Sequence, residues 1–202
     1  QLARPDYGWL SEETEDGSAR LNKDRVFIVD PIDGTRAYVA GENTWAISIA
    51  IVQNGQPTAG VVYLPVREKL YTASLGNGAH LNGTTIQPGN RTNPNDATIL
   101  APKPSLNPDY WTSPVPTMKR HYRPSLAYRF CLVAEGRFDV MLTLRDAWEW
   151  DIAAGTLIAT EAGAAVTDRN ANLLQMNSEA AKSKGIFTAN PDLQKTLLNL
   201  YN

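Results

Sequence analysis

Cysteine, histidine and long apolar runs are scarce in this sequence of 202 residues. The single cysteine, Cys131, excludes an internal disulfide and favours a reducing compartment. The longest apolar stretch, residues 45–52, falls far short of the ~20 residues that a membrane-spanning helix needs. Charge of one sign is lacking as well, since 19 basic and 21 acidic residues give a formal net charge of −2. That balance argues against a protein that coats nucleic acid through clustered lysine and arginine.

Repeats, low-complexity tracts and an evident protein nucleophile are also absent. His80 and His121 stand at no spacing that would form a ligand set, and Cys131 lies in an apolar helical stretch typical of a core. With 43% hydrophobic and 20% charged residues, the chain can bury a core as one domain or two closely packed halves.

The most informative segment is residues 26–35, Val-Phe-Ile-Val-Asp-Pro-Ile-Asp-Gly-Thr. Its apolar first part predicts a buried strand, so Asp30 is expected to leave a sheet at its carboxyl end, where α/β sheets bind ligands. Buried carboxylates without partners are costly, whereas an oxygen-coordinated dication would keep Asp30 and Asp33 ionised. Gly34 allows close approach of the backbone, and the short helix predicted after it would offer amides to an anion. The alternative is a hairpin turn, with Asp33 as a helix cap.

Two further acidic residues support a site for divalent metal and phosphate. Glu12 follows the short apolar segment 7–10 and again stands where a strand would end. Asp151 lies in the first turn of an alanine-rich helical pattern over residues 151–162. The alternatives are a solvated acidic loop for Glu12 and an N-cap, worth about 1 kcal/mol, for Asp151.

In this order and at this spacing, the acidic segments resemble the inositol monophosphatase family of magnesium-dependent, lithium-sensitive phosphomonoesterases. Residues 11–13 match its Gly-Glu-Glu segment, residues 30–35 its Asp-Pro-Ile-Asp-Gly-Thr core, and residues 150–155 its Trp-Asp-x-Ala-Ala-Gly helix start. Residues 130–139 are similar to the family's helix before the last strand. Ser11 replaces the usual glycine, which does not touch the ligand position. The resemblance runs over nearly all of the chain.

The residue pattern itself predicts a mixed α/β order with an antiparallel meander over residues 45–74. Strands are predicted at residues 26–30, 45–52, 59–64, 70–74, 98–101, 138–144, 164–167 and 185–188, and helices at residues 125–135, 151–162 and 192–201. The resemblance implies a layered α/β fold, the α-β-α-β-α sandwich of sugar phosphatases. Family members carry two helices before the acidic motif, so the N-terminal helical layer is expected to be missing from this chain.

Two halves are expected within this fold. Residues 1–101 would form the metal- and phosphate-binding half with the meander, and residues 102–202 a C-terminal α/β half that completes the site. The resemblance implies two or three Mg²⁺ ions, with Mn²⁺ as a substitute. The implied metal ligands are Glu12, Asp30, the Ile32 carbonyl, Asp33 and Asp151. Glu12, Asp33 and Thr35 are the expected catalytic residues, and the Gly34 and Thr35 amides are expected to bind the phosphate.

Substrate choice rests on residues around the last strand. Inositol phosphatases place a glutamate there, whereas Leu144 stands here and cannot accept hydrogen bonds from ring hydroxyls. Arg145 can bind a second phosphate, and Ser125 is expected in the substrate wall and as a helix cap. These features favour a 3′(2′),5′-bisphosphate nucleotide, in line with a resemblance to the nucleotidases of that name, with inositol 1-phosphate as the alternative substrate. Arg145 pairing with Asp139 or Asp146 on the surface is the alternative to phosphate binding.

The expected partner is a small phosphorylated substrate, without membrane or nucleic acid, in a cytoplasmic homodimer. Tyr110, Trp111 and Tyr122 are expected to be exposed and to offer a dimer face. A different class of function stays open, because some family members bind the transcription machinery. The basic and aromatic residues 119–123 hint at such binding to that machinery or to RNA, and are also consistent with an electropositive rim that steers phosphate to the site.

Overall fold

Alternating apolar residues in the first part of the chain build a seven-stranded sheet. The computed structural model describes residues 4–112 and 114–201. The strands of this sheet, in spatial order, are β1 (Gly8–Ser11), β2 (Arg25–Asp33), β3 (Ala46–Gln53), β4 (Gln56–Leu64), β5 (Lys69–Ser74), β6 (Ala79–Leu81) and β7 (Thr84–Thr85). Helix α1 (Thr35–Val39) connects β2 to β3. All neighbours are antiparallel except β1 and β2, which confirms the predicted meander.

The rest of the chain forms a five-stranded sheet and three helices. The strands are β8 (Thr98–Leu100), β9 (Lys119–His121), β10 (Val140–Thr143), β11 (Ala147–Trp148), β12 (Ala165–Thr167), β13 (Lys182–Ser183) and β14 (Ile186–Ala189), and the helices are α2 (Leu126–Ala134), α3 (Glu149–Glu161) and α4 (Pro191–Leu198). The sheet order is β12-β14-β10-β8-β9, and β11 pairs separately with β13. Because β8 belongs to this second sheet, the boundary between the two sheets lies before residue 98. The division of the chain into two halves, residues 1–101 and 102–202, stays a prediction.

Two hydrophobic clusters show how the layers stack. Met141 of β10 packs into the larger cluster, which contains α2, α3 and the inner face of the seven-stranded sheet. Its neighbours Val140 and Leu142 point the other way and pack with Leu193 and Leu197 of α4. The order of layers is therefore seven-stranded sheet, α2 with α3, five-stranded sheet, and α4. The described residues thus build four layers of the predicted α-β-α-β-α sandwich.

Helix α3 lies in unusually close contact with both of its neighbours. A Cβ atom added at Gly60 of β4 would lie 3.2 Å from the Cα atom of Ala154, and one added at Gly155 would lie 2.7 Å from the ring of Phe130. Glycine at both positions lets the helix pack directly on the sheet and on α2. The start of α3, which carries Asp151, is therefore held in a fixed place.

The opposite face of the seven-stranded sheet carries apolar side chains that are half-buried or exposed. We call it the outer apolar face, and its residues are Phe27, Ile47, Ile49, Ile51, Val61 and Tyr63. Ile49 is 37% exposed. None of these residues joins either hydrophobic cluster of the described chain. No helix among residues 4–112 and 114–201 covers this face.

Trp111 corrects one expectation about the surface. Its side chain is only 5% exposed, its indole N–H donates a hydrogen bond to the Ser105 carbonyl at 3.3 Å, and its ring packs edge-on against Tyr201. Tyr110 and Tyr122 are exposed as expected. In the part of the chain that the structure describes, no helix has the length and apolar character of a membrane span.

Candidate metal centre

The parallel pairing of β1 with β2 brings two acidic segments to one edge of the sheet. Ser11 pairs with Val29, so Glu12 follows β1 beside Asp30. Strand β2 does not end at Asp30, as the sequence led us to expect, but continues to Asp33. Asp30 pairs with Ser48 and Asp33 pairs with Ala46, so β2 carries one extra residue. Residues three apart on a regular strand face opposite ways, and this bulge instead turns both aspartates to the same side.

Three carboxylates meet at this edge. Asp30, Asp33 and Asp151 each offer an oxygen atom, and these atoms lie within 4.8 Å of one another. Asp151 is the third residue of α3, whose N-cap is Trp148, so Asp151 is not the cap. The Ser48 hydroxyl donates to the Trp150 carbonyl at 3.1 Å and ties the first turn of α3 to β3. We call these three aspartates the acidic triad.

Asp33 is held by the first turn of α2. Its Oδ2 atom accepts hydrogen bonds from the Ser125 hydroxyl at 2.7 Å and the Ala127 amide at 2.6 Å, and Oδ1 accepts one from the Leu126 amide at 3.1 Å. Each carboxylate oxygen has two lone pairs, so Oδ1 keeps one for a cation. Because its hydroxyl accepts a bond from the Tyr128 amide, Ser125 is the helix cap, as expected. Ser125 is also completely buried and faces Asp33, which corrects its expected place in the substrate wall.

Gly34 turns the chain from the triad into α1. Its φ of 93° is left-handed, and a Cβ atom there would lie 3.2 Å from the Ser125 backbone nitrogen. The position therefore requires glycine. Thr35 follows, and its hydroxyl donates to the Ile32 carbonyl at 3.1 Å. Among the described residues, the Gly34 and Thr35 amides donate no hydrogen bond to another backbone group.

The carboxylates of the acidic triad lie close together in a largely buried site and repel one another when they are ionised. Burial, together with the neighbouring Asp33, raises the pKa of Asp30 to about 7. Burial and the charges of Asp33 and Asp30 raise the pKa of Asp151 to about 9. Burial also raises the pKa of Asp33, although bonds from the start of α2 and the charge of Arg129 oppose that shift. No lysine or arginine of the described chain forms an ion pair with the triad. Clustered oxygen donors without a cationic partner fit a hard dication such as Mg²⁺.

A cavity of about 300 Å³ opens over the triad. Its lining residues are Glu12, Asp30, Ile32, Asp33, Gly34, Thr35, Arg36, Tyr122, Pro124, Arg145 and Asp151. All of the expected metal and phosphate residues are in this set, as is Arg145. Glu12 is exposed and lies outside the group of three close carboxylates. Sequence reasoning missed Arg36 and Tyr122 as site residues, and only the position of Arg36 next to Thr35 could have pointed to it.

Mg²⁺ is expected to stabilise the chain more at pH 8 than at pH 6. Because the pKa values of Asp30 and Asp151 lie above the ordinary 3.8, the metal-free folded chain binds protons that the unfolded chain has released. The stability of the metal-free fold therefore falls as pH rises from about 4 towards 9. A cation that replaces those protons consequently stabilises the fold more at the higher pH. Scanning fluorimetry with Mg²⁺ and with EDTA, at matched ionic strength, should give a difference in Tm shift of about 3 °C or more. Equal shifts at the two pH values would contradict this account.

Comparison with known proteins decides the family. The model of the inositol monophosphatase family matches residues 1–201. The chain belongs to the inositol monophosphatase family. Members of this family are phosphoric monoester hydrolases that act on small phosphorylated substrates and depend on Mg²⁺, and the acidic triad is compatible with that ion.

Relatives of this inositol monophosphatase family member include a Nus factor and inositol monophosphatases. The Nus factor SuhB of Xylella fastidiosa is 32% identical over 93% of this chain and 70% of its own length. The inositol-1-monophosphatase of Bacillus subtilis is 31% identical over 98% of this chain and 75% of its own. This chain spans between 65% and 77% of the length of several such relatives.

Solved structures of the inositol monophosphatase family share the fold. Inositol monophosphatase II of Staphylococcus aureus, with inositol monophosphate bound, aligns with a TM-score of 0.84 and 27% identity over 99% of this chain and 78% of that one. The same enzyme with 2′-AMP bound aligns with a TM-score of 0.82 and 27% identity over 99% and 77%. These alignments confirm the layered arrangement of mixed sheets and helices.

Proposed function

We propose that the chain hydrolyses a 3′(2′),5′-bisphosphate nucleotide with water as the nucleophile. The observation that carries this proposal is that Arg145 lines the same cavity as the acidic triad. Among the described residues, Arg145 forms no ion pair with Asp139 or Asp146. Asp139 instead bonds to the Thr98 amide and hydroxyl and pairs with Arg91 at 3.4 Å. A guanidinium without a carboxylate partner is available for a second phosphate.

The residues of the cavity have different proposed roles. The proposed ligands for two or three Mg²⁺ ions, with Mn²⁺ as a substitute, are Glu12, Asp30, the Ile32 carbonyl, Asp33 and Asp151. When bound, such ions polarise phosphoryl oxygens and lower the pKa of water. The Thr35 hydroxyl donates a hydrogen bond to the Ile32 carbonyl, so its oxygen can accept a hydrogen bond from the attacking water. Glu12 accepts the proton of that water, and the Gly34 and Thr35 amides donate to the phosphate.

Inositol 1-phosphate is the competing substrate, since several relatives are named inositol-1-monophosphatases. The Staphylococcus aureus relative has been crystallised with inositol monophosphate bound and with 2′-AMP bound. Initial rates on adenosine 3′,5′-bisphosphate and on inositol 1-phosphate at saturating Mg²⁺ test the proposal. A clear preference for the inositol ester would remove the argument from Arg145.

Thr35→Ala should lower kcat about a hundredfold while Mg²⁺ affinity stays within twofold of the parent. The variant loses the hydroxyl that orients water, which is a contribution typical of proton-transfer catalysis, but keeps every proposed metal ligand. Steady-state kinetics and calorimetric Mg²⁺ titration measure the two quantities. Thr35→Ser is the matched control, because it keeps the hydroxyl and should retain most of the activity. Lost Mg²⁺ affinity in Thr35→Ala would instead assign Thr35 to metal ligation.

A second candidate function is binding to the transcription machinery or to RNA. It is supported by the name of the Xylella fastidiosa relative, a Nus factor, and by the exposed β9, whose residues are Lys119, Arg120 and His121 at the edge of the five-stranded sheet. A gel-shift assay with RNA at physiological salt tests RNA binding, and the absence of a shift would argue against it. A cytoplasmic location and a homodimer are further proposals.

A further inference from the structure

Arg20 is a buried cation in the loop that connects β1 to β2. It lies in the 3₁₀ helix Ser18–Asn22 and is only 3% exposed. Its Nε and Nη2 atoms donate to the two carboxylate oxygens of Asp16 at 2.6 and 2.7 Å, which is the bidentate geometry of strong arginine–carboxylate pairs. A Cβ atom at Gly8 would lie 3.2 Å from the Arg20 Cα atom, so this loop packs directly on β1. Asp16 is therefore held in a fixed place four residues after Glu12.

The start of the same loop is fastened more weakly. The Glu13 amide donates to the Ser11 hydroxyl and the Thr14 amide to the Ser11 carbonyl, both at 3.4 Å, which is long for a hydrogen bond. The Trp9 indole N–H donates to the Thr14 hydroxyl at 3.1 Å, but this contact is exposed to water. Glu12 itself is exposed. The strongest restraint on the segment that carries Glu12 is therefore the bidentate pair at its far end.

The same guanidinium also reaches the loop that supports α3. Arg20 Nη1 donates to Asn177 Oδ1 at 2.7 Å, and Nη2 donates to the Ser178 carbonyl at 3.0 Å. The Asn177 side chain donates back to the Arg20 carbonyl at 3.3 Å. The amides of Asn177 and Ser178 donate to the Glu149 carboxylate at 2.6 and 2.9 Å. Glu149 is completely buried, begins α3 and lies two residues before Asp151. Arg20 thus connects the β1–β2 loop with the helix that carries Asp151.

We propose that Arg20 is a positioning residue that sets the place of Glu12 relative to Asp151 and so completes the Mg²⁺ site. This inference rests on the proposed function, in which both carboxylates bind Mg²⁺. Glu12 stands outside the three close carboxylates, so its approach to a shared ion depends on the loop that carries it. Mg²⁺ demands ligands at about 2.0–2.1 Å in near-octahedral geometry, and a loop displaced by about an ångström would lose that ligand.

Asp16→Ala tests the bidentate pair at a position where the fold is not at risk. The Asp16 side chain is 37% exposed, so the Tm in EDTA should stay within about 3 °C of the parent. The Kd for the Mg²⁺ ion that Glu12 binds should rise about tenfold, as is typical when a residue that orients a metal ligand is removed. Mg²⁺ titration calorimetry measures this Kd.

Glu15→Ala is the matched control for Asp16→Ala. Glu15 is exposed, lies in the same loop and carries the same charge, and within the described part of the chain it forms no ion pair. Its substitution should leave the Kd for Mg²⁺ within about twofold of the parent, since a single exposed charge is largely screened.

The Glu12→Gln background separates positioning from a general effect on the site. The ligand that Asp16 helps to place is already absent there, so adding Asp16→Ala should change Mg²⁺ affinity by less than about twofold. A residue that acted only through overall charge or stability would weaken Mg²⁺ binding by the same factor in both backgrounds. Equal factors would therefore overturn the proposal.

Asn177→Gly tests the connection to α3. Asn177 has a left-handed φ of 58°, which glycine adopts readily, and the backbone amide that bonds to Glu149 is kept. Both side-chain bonds to Arg20 are lost. Mg²⁺ binding should weaken as it does in Asp16→Ala, and an unchanged Kd would overturn the role of Arg20 between the two carboxylates.

Calorimetry with Mg²⁺ requires no substrate, so it tests this inference whichever ester the parent hydrolyses. Parent-like Mg²⁺ affinity in Asp16→Ala would overturn the positioning role and leave the proposed reaction standing. Failure of bisphosphate hydrolysis by the parent, with Mg²⁺ binding weakened in the variants as expected, would overturn only the proposed reaction.

Discussion

Asp151→Asn should reduce kcat by at least about a thousandfold, because it removes one of three carboxylates whose oxygens lie within 4.8 Å of one another. Asparagine keeps the shape of the side chain but not its charge, so Mg²⁺ should lose most of its stabilising effect. In EDTA at pH 9 the variant should melt at a higher temperature than the parent. The reason is that the pKa of Asp151 is raised to about 9 by burial and by Asp33 and Asp30, so its ionisation destabilises the metal-free fold in that range.

Asp146→Asn is the matched control for this experiment. Asp146 lies five residues earlier in an exposed loop, and it does not line the cavity over the triad. Its substitution removes the same formal charge and should change neither kcat nor the Mg²⁺-dependent shift in Tm. Turnover of Asp151→Asn at the parent's rate in saturating Mg²⁺ would show that Asp151 is not a metal ligand.

Ser125→Ala should weaken Mg²⁺ binding about tenfold or more, although the serine does not face the cavity. Its hydroxyl donates to Asp33 Oδ2 at 2.7 Å and orients that carboxylate, and residues that orient metal ligands typically contribute 10–100-fold in affinity. The variant also loses the N-cap of α2, which costs about 1 kcal/mol of stability. Mg²⁺ titration calorimetry and urea unfolding measure the two effects.

Asn190→Ala separates the two effects of the Ser125 substitution. Asn190 is the N-cap of α4, where its side chain accepts a hydrogen bond from the Leu193 amide at 3.0 Å. Removing this cap should cost a similar stability and leave Mg²⁺ affinity unchanged, because α4 is separated from the triad by the five-stranded sheet. If Ser125→Ala lost stability alone, like Asn190→Ala, the hydroxyl would have no part in holding Asp33 for the metal.

The acidic segments could be predicted from the sequence because each is a local feature. Glu12, Asp30 and Asp151 adjoin apolar stretches whose periodicity gives a strand end or a helix start, and the structure has these elements within a few residues. The bulge between Asp30 and Asp33 could not be predicted, since it is a property of the register with β3, which pairs residues distant in sequence. The sequence predicted instead that the strand ends at Asp30, and a regular strand that continued to Asp33 would have placed the two aspartates on opposite faces.

The wrong expectations concern loops and burial in tertiary structure. Ser125 was expected in the substrate wall and Trp111 on the surface, because nothing nearby in sequence reveals the Asp33 carboxylate or the Tyr201 ring that contact them. Tyr122 was considered for a dimer face and as part of the patch 119–123, but not as a residue that lines the cavity. Its place in the cavity depends on the buried Arg129, whose guanidinium lies 4.5 Å from the centre of the Tyr122 ring and bonds to the Arg123 carbonyl. Such contacts depend on the tertiary structure, and local sequence patterns do not reveal them.

The outer apolar face bears on the solution behaviour of the polypeptide. A broad plane of isoleucine, valine and aromatic rings in water favours self-association as the protein concentration rises, because each copy presents the same surface to the next. The carboxylates lie at the strand ends rather than on this plane, so oligomers formed through it would keep their substrate entrance open. A segment or subunit that covers the plane would therefore change the solubility and the apparent mass, and would leave the hydrolytic chemistry at the strand ends unaffected.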